Sequence, residues 1–124
     1  MKNKQILANY DALVQLKSKD DIRLPVKVSY AVTRNSRILE PIVEDIETLR
    51  NKIITEYGEP VPNQPGMYRE KPGQDPGVLY DKIEELMNVE TEVPIQKISI
   101  EDLDGLSFSF SEIDALYFMI EGEE

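Results

Sequence analysis

A chain of 124 residues, 40% apolar and 31% charged, has the length and composition of one soluble domain with a single core. It contains no Cys and no His, which excludes disulfides, thiolate nucleophiles, zinc ribbons, Ser-His-Asp triads and HExxH centres. Its net charge of −10 is uneven: residues 1–69 hold 9 acids and 11 bases, whereas residues 70–124 hold 15 acids against Lys71, Lys82 and Lys97. Such a field repels nucleic acid.

The opening Met1-Lys2-Asn3-Lys4-Gln5 is basic, but Asn9, Tyr10 and Asp11 interrupt the apolar stretch that follows, so no signal-peptide h-region is present. No apolar run approaches the roughly 20 residues of a membrane span. The expectation is a cytoplasmic protein with no membrane partner.

Residues 4–17 read as a helix, with Ile6, Tyr10 and Leu13 on one stripe and Leu7 and Val14 beside it. Ser18-Lys19-Asp20-Asp21 breaks the pattern, and Leu24-Pro25 opens a second helix, because proline suits the first helical position. In that helix Val28, Val32, Asn35, Leu39, Ile42, Ile46, Leu49 and Ile53 form an unbroken a/d seam with charged flanks, and Gly58 is the expected stop. Residues 25–57 at ~1.5 Å per residue make a rod of about 50 Å, longer than the ~35 Å breadth of a compact globule of this size. Pro41 is a candidate bend, since it removes one helical N–H and crowds the carbonyl of Arg37. The first helix reaches only the proximal half of the seam. Ile42, Ile46, Leu49 and Ile53 therefore need cover from elsewhere in the chain or from another one.

Residues 58–77 are rich in proline and glycine and read as a loop with a short hairpin around Met67-Tyr68-Arg69. They contain no phosphate-binding glycine motif. Asp75-Pro76 offers a cap for a helix over 76–89 with Leu79, Ile83 and Leu86 on its stripe. A strand is expected in 91–100, where the alternation changes phase near Gln96-Lys97 and suggests a bulge. A second is expected where Leu106, Phe108 and Phe110 alternate with serines. Ser109-x-x-Glu112 fits a capping box for a last helix carrying Ile113, Leu116, Tyr117 and Ile120. The fold expected is α+β, mainly helical: a hairpin over 1–57, the loop 58–77, and an acidic part over 78–124 with a helix, a small antiparallel β element and a closing helix.

Carboxylates are the only catalytic currency in quantity, and they lie on the polar sides of their stripes, where the desolvation that an acid/base pair needs is not expected. The acidic clusters also lack the calcium-loop spacing. No catalytic residue, metal ligand or cofactor is therefore assigned. The candidate partner-binding residues are Asn35, Ile42, Ile46, Leu49 and Ile53 on the seam, Arg34 and Arg37 as a small basic patch near Lys27 and Tyr30, and Glu84 and Glu85 as part of an acidic face. Asn35 reads either as a register-setting seam residue or as one bonded locally or to water near the bend.

The run LPVKVSYAVTRNSRILEPIVEDIETLRNKIITEYGEP (24–60), the Pro/Gly-rich interruption, LYDKIEELMNVETEVPIQKISIEDL (79–103) and the closing SEIDALYFMIEGEE together resemble a group of small uncharacterised proteins encoded by phages and prophages of Gram-positive bacteria. Pro41 and the proline-rich insert depart from the usual look of that group. The resemblance implies a viral origin and a helical hairpin with a small β element, and it carries no catalytic residues. The expected function is a non-enzymatic, phage-encoded interaction protein that binds itself or another protein through the long helix. The alternatives are an acidic inhibitor of a host nucleic-acid-binding defence enzyme, of the anti-CRISPR or DNA-mimic kind, and a virion assembly or tail chaperone role.

Overall fold

The computed structural model describes residues 1–19 and 23–121. The turn residues Asp20 and Asp21 and the end of the closing segment, including Glu123 and Glu124, lie outside that range. Four helices form: α1 (Asn3–Lys17), α2 (Val26–Tyr57), α3 (Val78–Met87) and α4 (Phe110–Tyr117). A two-stranded sheet, β1 (Gly58–Pro60) with β2 (Tyr68–Glu70), follows α2, and a 3-10 turn (Ile100–Leu103) precedes α4. The fold is α+β and mainly helical.

The core lies where α1, α2 and the end of the chain meet. Ile6, Leu13 and Leu16 of α1 pack with Val28, Val32, Leu39, Val43 and Ile46 of α2, and with Leu116, Met119 and Ile120. Burial of each such side chain contributes roughly 1.5–3 kcal/mol. The inner stripe of α1 includes Leu16 rather than Val14, which is exposed. α2 starts one residue later than expected, with Pro25 as its N-cap, and runs through Pro41 without interruption.

Gly58 ends α2, but its backbone is extended (φ −121°) rather than left-handed. The requirement for glycine is spatial. A Cβ there would meet the Ile54 carbonyl oxygen at 2.9 Å and Leu79 Cδ2 at 3.0 Å, because α3 crosses the end of α2 at this point. The far part of the seam is thus covered from within the chain: α3 and β1 pack on α2, Ile46 is buried, and Ile42 and Ile53 are half-buried.

The β element sits in a different place from the one expected. The hairpin in the Pro/Gly-rich segment forms, with Glu59 paired to Arg69 in register and Arg69 Nε donating to Glu59 Oε1 at 2.7 Å. Asn63 and Gly66 both take positive φ at its tip, the backbone that tight turns demand. The strands expected in 91–100 and around Leu106–Phe110 do not form. The first of these segments packs along α2 with a one-residue bridge of Ile98 with Ile120, and a second such bridge, Lys2 with Glu90, lies just before it. Its alternating apolar residues are satisfied by helices: Val93 and Ile95 pack against the core and Ile98 is buried in it.

Two helix starts show how local sequence and tertiary contact divide the work. The box expected at α4 is present, with Ser109 N donating to Glu112 Oε1 (2.8 Å) and Glu112 N donating to Ser109 Oγ (3.3 Å). The start of α3 is shifted to Val78, past Asp75-Pro76, and Gly77 in the left-handed region is its N-cap. The cap is supplied from a distance: Glu70, at the end of β2, accepts from the backbone N–H of Leu79 at 2.9 Å and from Gln74 Nε2.

Candidate functional site

Asn35 is fully buried (0% exposed) and fully engaged inside the chain. Its Oδ1 accepts from Gln96 N at 2.7 Å and its Nδ2 donates to Gln96 O at 3.0 Å. One amide thus closes both backbone groups of a residue in the extended segment, as a neighbouring strand would. Nδ2 also lies 3.4 Å from Met119 Sδ. This corrects both readings of Asn35. It offers no surface to a second chain and its amide's hydrogen bonds are long-range rather than local: it clamps residues 93–98 onto α2.

The seam residues separate in the same way. Ile46 is 4% exposed and belongs to the core, so it is withdrawn from any partner. Ile42 and Ile53 are half-buried, and Leu49, at 49%, is the seam residue left open.

The basic patch is where the structure leaves side chains unengaged. Arg34 and Arg37 are exposed on the outer face of α2, beside Tyr30 at 58% exposure. With Thr33 and Ile38 they line a shallow groove of about 350 Å³. Among the described residues neither arginine makes an ion pair; on α2 only Lys27 does, at 3.8 Å from Asp102. The ordinary i,i+3 and i,i+4 pairing that would explain such arginines is absent from both. Sequence reasoning named Lys27 and Tyr30 but missed Ile38, whose position beside the seam gave the only signal of its part in the groove.

Glu84 and Glu85 are exposed on α3 without ion pairs among the described residues. Several acids of the second half are engaged elsewhere. Asp102 closes the capping box at Ser99 and Glu112 closes the one at Ser109. The Ser109 N–H holds the Glu112 carboxyl below the usual glutamate value, against the opposing effect of desolvation; the Ser109 hydroxyl and Lys19, 3.9 Å away, add to the lowering. Among the described residues no cluster of three acids is placed to hold a metal ion, and no helix is long and apolar enough to cross a membrane.

Two other hollows lie away from this face. One, between α1 and α4, is bordered by Gln15, Lys19, Glu112 and Asp114, with the Lys19–Glu112 pair across it. The other is apolar and is formed by Ile100, Leu106, Phe108 and Tyr117 among others. No family model, curated protein or solved structure matches the chain.

Proposed function

We propose that this is a non-enzymatic binding protein that docks a protein partner, its own second copy included, through the outer face of α2. One observation carries the reading: two arginines and a tyrosine stand exposed on a shared groove, the arginines without an ion pair among the described residues, in a chain with ten excess acids. Arg and Tyr are the residue types that concentrate binding energy at protein interfaces. A planar guanidinium free of internal carboxylates is ready for bidentate recognition of an acidic partner. The resemblance to phage and prophage proteins supports action in the cytoplasm of an infected host.

The nucleic-acid-mimic alternative draws less support. Mimicry needs carboxylates spaced freely along one face, and Glu70, Asp102 and Glu112 are engaged at helix starts. Glu84 and Glu85 remain as its only adjacent unpaired couple on α3.

The test is affinity capture from cells expressing the tagged chain, comparing wild type with R34E/R37E. The proteins retained by wild type are expected to be lost from the variant, whose circular dichroism stays that of wild type. An identical set of retained proteins overturns the assignment of this face.

A further inference from the structure

Over residues 26–47 of α2 the charges are sorted along the helix, before Arg50, Lys52 and Glu56 mix the signs again. Residues 26–39 carry Lys27, Arg34 and Arg37 and no acid; residues 40–47 carry Glu40, Glu44, Asp45 and Glu47 and no base. All seven are exposed, and only Lys27 is ion-paired among the described residues. The helix macrodipole does not account for this order, because the first turn has no acid and the last turn no base. Nor do the acids help one another, since Glu40 and Glu44 stand at i,i+4, where like charges repel.

The change of sign falls between Arg37 and Glu40, just before Pro41, which is itself exposed. Arg37 lies four residues before it and Asp45 four after, each about 6 Å along the axis. A helix with a basic group and an acidic group equidistant from one point, as Arg37 and Asp45 are from Pro41, is complementary to itself there when turned end for end. That is the symmetry of an isologous two-fold dimer.

Resting on the reading of this face as a protein-docking surface, we infer that its partner is a second copy of the chain, laid antiparallel on α2 about a two-fold axis near Pro41. Arg37 of each copy then lies level with Asp45 of the other, with Glu44 adjacent and Arg34 within one turn. Ile38, half-buried, and Leu49, half-exposed, border the charged strip on one side. They supply the apolar area that charge pairing alone does not. Each interface forms both charge sets twice.

The experiment is the solution mass of the purified chain by analytical ultracentrifugation, from micromolar to millimolar, at low and high salt. The expected result is a monomer–dimer equilibrium weakened by salt, since exposed pairs are screened beyond a Debye length of about 10 Å at 0.1 M. R34E/R37E and E44R/D45R each weaken the dimer by about tenfold or more. Mixed together they form a heterodimer, because positions 34, 37, 44 and 45 are then all acidic on one copy and all basic on the other. If a reversal variant fails to fold, R34Q/R37Q and the salt dependence of wild type carry the same test. A wild type that is monomeric throughout, or a dimer indifferent to salt and to both reversals, overturns the proposal. A monomer whose α2 face still captures a different protein overturns self-association alone. A monomer that captures nothing through that face overturns the docking reading as well.

Discussion

The two halves of α2 are sealed in different ways. Before Pro41 the helix is enclosed by α1 on one side and by the extended segment on the other, and Val28, Asn35 and Leu39 have no exposed surface. Beyond Pro41 the cover is the short α3 and the hairpin, Ile42 and Ile53 are only half-buried, and Leu49 stands half in solvent. The completely sealed half is thus closed partly by irregular chain and the looser half by regular structure. Burial here follows from how well a cover is fastened, and the extended cover of the sealed half is fastened by the Asn35 amide and by the hydrogen bonds of Ile98 with the segment after α4.

That contrast is breakable at several points. Leu39→Ala should destabilise the protein by about 2–5 kcal/mol, as a fully enclosed Leu leaves a cavity. Leu49→Ala should cost about 1 kcal/mol or less, and chemical denaturation of both variants measures the difference between the halves directly. Equal losses would erase the comparison. Asn35→Ala should cost about 2–3 kcal/mol, from two lost hydrogen bonds and the polar groups stranded behind them. Hydrogen exchange should show the added opening confined largely to residues 93–98, with α1 and α2 protected.

On the looser half, Glu70→Ala removes the distant cap of α3 and should cost about 0.5–2 kcal/mol, with faster amide exchange at Leu79 and the residues next to it. The smallest effect is at α4. The folded-state pKa of Glu112 is depressed below the ordinary value near 4.5, so its contribution is present above that value and is lost as pH falls through the folded one. Wild type should exceed Glu112→Gln in stability at pH 7, and the two should converge in strong acid. A constant gap across the titration would contradict this account.

The helices were legible because their signals are local. The seam of α2, the stripe of α1 and the box at Ser109 are each readable within a few residues, and each formed. The failure at 91–100 has a physical reason. Alternating apolar residues report an extended backbone, but not what hydrogen-bonds to it. Here the partners are Asn35, 61 residues away in sequence, and the end of the chain after α4, where Met119 O accepts from Ile98 N at 2.8 Å. The phase change near Gln96 and Lys97, read as a bulge, marks the residue that Asn35 grips.

The candidate site was legible in part. The basic patch was visible in sequence, but whether its arginines were paired internally depended on where the acids of the second half went. Glu70 gave no cap signal at all, because the helix it serves begins eight residues later. Asn35 was recognisable as the odd polar member of an apolar seam, and its role became clear only once Gln96 lay opposite. Of the distal seam, Ile46 met its cover inside the chain, and Leu49 remains open because α3 is too short to shield every turn it crosses.

The hairpin after α2 has a practical use. Its base is fixed by the Glu59–Arg69 pair and by Glu70 on α3, while its tip, residues 62–67, is exposed and a Cβ on Gly66 would meet nothing. Exposed tips of this kind accept inserted chain with little loss of stability. A fluorophore or an epitope spliced in between Pro65 and Gly66 would therefore report on the intact molecule while leaving the outer face of the long helix unencumbered.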